Sequence, residues 1–133
     1  MKNKQKLNSL ALAGSVLILF LILFSSTASA ADRDQVISNA VHKIAGMKSD
    51  VQDLVDSNTL SKNHGKMLES DLQNAKDDLN NGNIREAIIN LERFKSTIKT
   101  IINNSTKLSP QHVDDLQNMI NTANNIISSL KKM

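Results

Sequence analysis

Three histidines, His42, His64 and His112, are the side chains in this 133-residue sequence best suited to holding a metal or moving a proton. Their spacing argues against both roles. None has another histidine three or four positions away, the separation that places two ligands on one helix face, and no cysteine is available to complete a set. His64 and His112 share a setting, each being the third residue after a serine, and that setting belongs to the start of a helix. No metal and no cofactor are expected.

The acidic residues offer a second kind of chemistry. Asp77–Ile88 can be laid against a calcium-binding loop, with Asp77 at its first position, Asn81 at the fifth and Gly82 at the sixth. Leu79 then occupies the third position, and Ile88 stands where a bidentate glutamate is required. Two missing oxygen ligands leave too few donors, and a helix–Gly–helix corner accounts for the same residues. Asp50, Asp53, Asp71, Asp77, Asp78, Asp114 and Asp115 interleave with lysines, the pattern of solvated helix faces. No Gly-x-Ser-x-Gly elbow, paired catalytic carboxylates or phosphate-cradling loop is present, so no catalytic residue is assigned and an enzyme is not expected.

Charge narrows the partners. Of 16 lysines and arginines, Lys2, Lys4 and Lys6 lie in the first six residues, whereas all 13 acidic residues follow position 30. Residues 31–133 thus carry 13 charges of each sign. The basic pI of 9.3 reflects the start of the chain. Nucleic acid is not an expected partner, since this part has no net positive charge and one aromatic, Phe94, whose spacing places it in a core.

The elements that position these residues are helical. Ile37, Val41, Ile44, Met47, Val51, Leu54 and Val55 recur at three and four over a first helix from about Asp34 to Asp56. Ser61 caps a second, with Leu68, Leu72, Ala75 and Leu79 on its apolar face, which Gly82 ends. Asn83 and Glu86 form a capping box for a third, from Ile84 to about Ile102, carrying Ala87, Ile88, Leu91, Phe94, Ile98, Ile101 and Ile102. Ser109-Pro110 opens a fourth, seamed by Val113, Leu116, Ile120, Ala123, Ile127 and Leu130. Ile89, Met119 and Ile126 lie beside these seams, as a broad core face or as a groove for a partner.

The halves match. A shift of 48 carries Leu60-Ser61 onto Leu108-Ser109, His64 onto His112 and Leu72 onto Ile120; a shift of 47 carries Val41 onto Ile88 and Val51 onto Ile98. The odd residue falls to Asn103–Lys107, expected to be the longer loop. Two helical hairpins, each unable to bury its own apolar face, predict an all-α fold: an antiparallel up-down four-helix bundle built from two repeated hairpins.

Residues 1–30 read differently. Lysines precede an apolar run, Leu10–Phe24, and small residues Ala28 and Ala30 flank Ser29 ahead of charged Asp32. This pattern predicts a cleavable secretory signal peptide over 1–30, with Ala28 and Ala30 recognised by signal peptidase, and a mature domain over 31–133. The alternative is an uncleaved membrane anchor through residues 7–24, although the run is shorter than the roughly 20 residues that span a bilayer comfortably.

The run Leu79, Gly82-Asn83, Ala87-Ile88, Leu91 and Phe94 has the form L-x-x-G-N-x-x-x-A-I-x-x-L-x-x-F. With Leu60-Ser61, Leu68, Leu72 and Ala75 before it, and Leu108-Ser109, Leu116 and Ala123 after it, the chain resembles the FIMAH-type helical domain of secreted bacterial proteins over residues 36–130. The resemblance implies an accessory module, commonly appended to larger extracellular hydrolases and without catalytic residues. Here leader and module make up the sequence, so a partner in trans is expected.

The function these observations predict is a secreted, non-catalytic interaction module at or outside the cell envelope, binding an extracellular protein or a cell-wall component through polar helix faces. Such binding should survive moderate salt, because the balanced sequence suggests no single-sign patch. Alternatives are a structural bundle that self-associates as a homo-oligomer, or a carrier of a small apolar ligand. A membrane is a partner only if the leader is retained.

Overall fold

Two serines open two helices in the same way. Ser61 and Ser109 are extended, with φ/ψ of −65/153° and −70/158°, and their hydroxyls accept from the backbone N–H of His64 at 3.1 Å and of His112 at 3.2 Å. Each satisfies one of the amides a helix start leaves without an intrahelical partner. Pro110 follows at the first position of its helix, where it has no N–H to waste. The computed structural model describes residues 31–133, and the signal-peptidase residues Ala28 and Ala30 and the anchor segment 7–24 lie outside them.

Within the described residues the chain is all-α. Helix α1 runs through residues 31–56, α2 spans Lys62–Asn80, α3 spans Ile84–Asn104 and α4 spans Pro110–Lys131. Two left-handed residues end the first two. At Gly82, φ is +78°, and the amides of Gly82 and Asn83 return to the carbonyls of Leu79 and Asp78. At Asn58, φ is +60°, and the amides of Asn58 and Thr59 return to Val55 and Leu54. Both are paired-carbonyl helix stops, and asparagine is the residue after glycine that tolerates this conformation best.

The core follows the apolar seams. Ile44, Val51, Leu68, Leu72, Leu91, Phe94, Ile98 and Leu116 are all fully buried, and Phe94 is the largest side chain among them. Ile37, Val41, Val55, Ile84, Ile88 and Ile102 flank the core, half-buried. Contacts between helices run in opposite directions along the chain. Gly65 meets Val55 while Gln73 meets Lys48, which makes α1 and α2 antiparallel. Asp78 bonds Asn90 and Asp71 faces Arg93 across α2 and α3. Helix α1 also borders α4, with Asp50 near Asn118 and Ala40 near Ile126, again antiparallel. These pairings are those of an up-down order.

Four expectations need correction. Asn83 sits at the start of α3, but its side chain makes no capping bond, because its φ/ψ of −85/69° is not the extended geometry that aims a cap. The segment joining α3 to α4 is not longer than the one joining α1 to α2. Residues 57–61 and 105–109 are equal in length, and the odd residue extends the end of α3. Asp71 is not on a solvated face: it is 7% exposed, between α2 and α3. Finally, the ridge beside the seams divides, since Met119 and Ile126 are buried in the core while Ile89 is 43% exposed.

Candidate interaction groove

Helix α1 carries Met47, Asp50, Asp53 and Leu54 along one flank, spaced at three and four so that they share a face. Helix α4 opposes them with Asp115, Asn118, Met119 and Thr122. Together they line a groove of about 380 Å³. Its floor is apolar, because Met47, Leu54 and Met119 are each less than one-tenth exposed. Its rim carries three carboxylates, those of Asp50, Asp53 and Asp115.

Among the described residues no lysine or arginine lies within ion-pair distance of any of the three, and the ion pairs shown are Arg93–Asp71 and Lys95–Glu92, elsewhere. Asp115 accepts one hydrogen bond, from Gln111 Nε2 at 3.0 Å. The Thr122 hydroxyl is turned back to the Asn118 carbonyl at 3.0 Å. Partial desolvation first, and then the negative charges of Asp53 and Asp115, push the Asp50 carboxyl above its ordinary range. The groove therefore presents uncompensated negative charge around a methionine-lined floor. It suits an organic cation with an apolar stem better than a bare ion. Among the described residues no three histidine or carboxylate side chains are grouped so as to hold a metal.

The other sequence candidates lie apart from this groove. His42 is exposed on α1. His64 and His112 line a different cavity, at the end of the helices where segments 57–61 and 105–109 meet. The serine hydroxyls hold the backbone amides of these two residues, so their rings take no part in capping. Asp77 accepts from Gln73 one turn earlier on α2, and Asp78 accepts from Asn90, which ties Asp78 to α3. Asp71 faces the exposed Arg93 guanidinium at 3.9 Å. Its burial raises the carboxyl above the usual range, and Arg93 opposes that shift.

The acidic groove is not visible in the sequence. Asp50 and Asp53 are three apart, which signals a shared face, but only the α1–α4 contact brings Asp115 to them. Local charge is thus segregated within a domain whose total is neutral, and the expectation that no single-sign patch exists fails here.

The family model of the FIMAH domain matches residues 44–124, more than half of the chain. The chain belongs to this family of helical domains. No curated protein and no solved structure matches it. Among the described residues, no helix is long and apolar enough to cross a membrane.

Proposed function

We propose that this FIMAH domain is a non-catalytic interaction module, exported by its leader and acting at or outside the cell envelope, whose α1–α4 groove holds a lysine- or arginine-bearing segment of a partner protein. One observation carries the reading: Asp50, Asp53 and Asp115 rim a groove floored by Met47, Leu54 and Met119 and, among the described residues, have no cation within ion-pair distance. A lysine or arginine laid there buries its alkyl stem on the floor and sets its charge among the carboxylates. Methionines adapt their shape to such a stem at little cost. Export is supported by Lys2, Lys4 and Lys6 ahead of the apolar run and by the small residues Ala28 and Ala30.

The test is a pull-down with C-terminally tagged protein recovered from an exporting host, against culture fluid and envelope fractions of the producing cell. The wild type should retain a partner that elutes as salt rises, because exposed charges are screened over about 10 Å at 0.1 M and 3 Å at 1 M. The combined variant Asp50→Asn, Asp53→Asn, Asp115→Asn should retain none while melting at or above the wild-type temperature. Equal retention by the variant would refute the groove as the docking site.

A further inference from the structure

The corner between α2 and α3 carries a reactive pair, Asn81-Gly82. Asn81 is exposed, and among the described residues its side-chain amide makes no hydrogen bond to the protein. Its backbone is what the corner uses: at φ/ψ of −93/0° its N–H returns to the carbonyls of Asp77 and Asp78 at 3.0 and 3.2 Å. The carboxamide is therefore a free electrophile on a fixed main chain. Gly82 follows it at φ of +78°, and no protein atom lies within 4 Å of the place a Cβ would take. The Gly82 nitrogen is thus unscreened by a side chain of its own and borders open space.

No other asparagine in residues 31–133 shares this setting, because each is followed by a residue that has a Cβ. Asn58 precedes the β-branched Thr59, whose amide is bonded to Leu54 at 2.9 Å, and Asn104 precedes Ser105, whose amide is bonded to Ile101 at 3.0 Å. The Gly82 amide has one bond, to the Leu79 carbonyl at 3.1 Å. That bond lies at an exposed helix end, the part of a helix that opens locally at least cost.

We propose that Asn81-Gly82 is a modification site, where water converts the Asn81 carboxamide through a cyclic imide into aspartate and isoaspartate. When the bond to Leu79 opens, hydroxide removes the Gly82 N–H proton and the nitrogen attacks Cγ of Asn81. The N–Cγ bond forms, the Cγ–Nδ2 bond breaks, and Nδ2 leaves as ammonia with a proton from water. A second water opens the imide. Cleavage between Cγ and the Gly82 nitrogen restores the chain with aspartate, and cleavage at the other carbonyl routes the main chain through the side chain as isoaspartate. Nothing is oxidised or reduced; overall one water is consumed and one ammonia released. Either product disturbs the corner. Aspartate adds a negative charge beside Asp77 and Asp78 at the negative end of the α2 dipole. Isoaspartate inserts a main-chain carbon where the Gly82 and Asn83 amides reach back to Leu79 and Asp78 at 3.1 and 2.8 Å.

Protein recovered from an exporting host, incubated in mildly alkaline buffer and mapped by peptide mass spectrometry with fragmentation that separates aspartate from isoaspartate, tests this. Acid should accumulate at position 81 ahead of every other asparagine, and faster in denaturant, where the bond to Leu79 is gone. Asn81→Gln should keep its amide over the same period and leave the fold intact, since the Asn81 side chain supports nothing. Asn81→Asp, one of the two products, should melt below the wild type at pH 7. A native protein that keeps its amide at position 81, or acid appearing first at another asparagine, would overturn the assignment. Asn81→Asp melting at or above the wild type would overturn the effect assigned to the charge.

Discussion

Gly65 of α2 lies against Val55 of α1 so closely that a Cβ at position 65 would run into Cγ2 of Val55. Glycine inside a helix is unfavourable by about 1 kcal/mol relative to alanine, so an exposed Gly→Ala exchange would stabilise. Here the sign reverses. Valine is stiff about χ1 and cannot swing its methyl away without cost. Gly65→Ala should destabilise by about 1–3 kcal/mol, the range of an overpacked core. Val55→Ala in the same chain should recover part of the loss. Chemical denaturation of the two single variants and the double variant provides the cycle. A Gly65→Ala protein more stable than wild type would mean that α1 and α2 are further apart.

Phe94 is fully buried at the middle of α3 and is the largest fully buried side chain among the described residues. Phe94→Ala should cost about 3–5 kcal/mol, combining lost transfer energy with the cavity left behind. In the same denaturation experiment, Ile89→Ala should be within about 0.5 kcal/mol of wild type, since that side chain is 43% exposed. A Phe94→Ala protein of unchanged stability would place the α3 seam elsewhere.

Caps separate what residue type promises from what geometry delivers. Ser61→Ala and Ser109→Ala should each cost about 1 kcal/mol, because each hydroxyl accepts a helix-start amide. Asn83→Ala should cost less than either, since the Asn83 side chain caps nothing. Gly82→Ala should cost about 1 kcal/mol, for a different reason: its φ of +78° strains any residue with a Cβ. Thermal melts of the four variants rank them, and an Asn83→Ala loss as large as that of Ser61→Ala would contradict the cap geometry.

The helices, their order and most of the core were legible because apolar residues repeat at helical spacing, a signal each helix carries by itself. What stayed hidden depends on two helices at once. Asp71 sits beside Leu72 and three residues after Leu68, and nothing in α2 alone says how far α3 wraps over that flank. Gly65 has no side chain to contribute to an apolar pattern, yet it sets the approach of α1. The left-handed stop at Asn58 was masked because asparagine is common at ordinary surface positions too. The groove was hidden for the strongest reason: Asp50 and Asp115 are 65 positions apart, and a neutral total conceals where like charges meet.

Asp71 provides the pH test. Its burial raises the folded-state carboxyl above its unfolded value, so the native protein binds that proton more tightly than the unfolded chain does. The stabilisation from protonated Asp71 is complete below the unfolded value and is lost as pH rises through the folded one. Asp50, raised by desolvation, Asp53 and Asp115, contributes with the same sign. Above the folded-state values the ionised carboxylates oppose folding, Asp71 with partial relief from Arg93. Asp71→Asn should therefore raise the melting temperature at pH 7 and flatten its dependence on pH at the acid side. Arg93→Gln should lower the melting temperature at pH 7, and lower it less where Asp71 is protonated. Melting curves of the wild type and both variants between pH 3 and pH 7 decide it. Asp71→Asn melting below the wild type at pH 7 would show that the charged pair contributes more than the desolvation of its carboxylate costs.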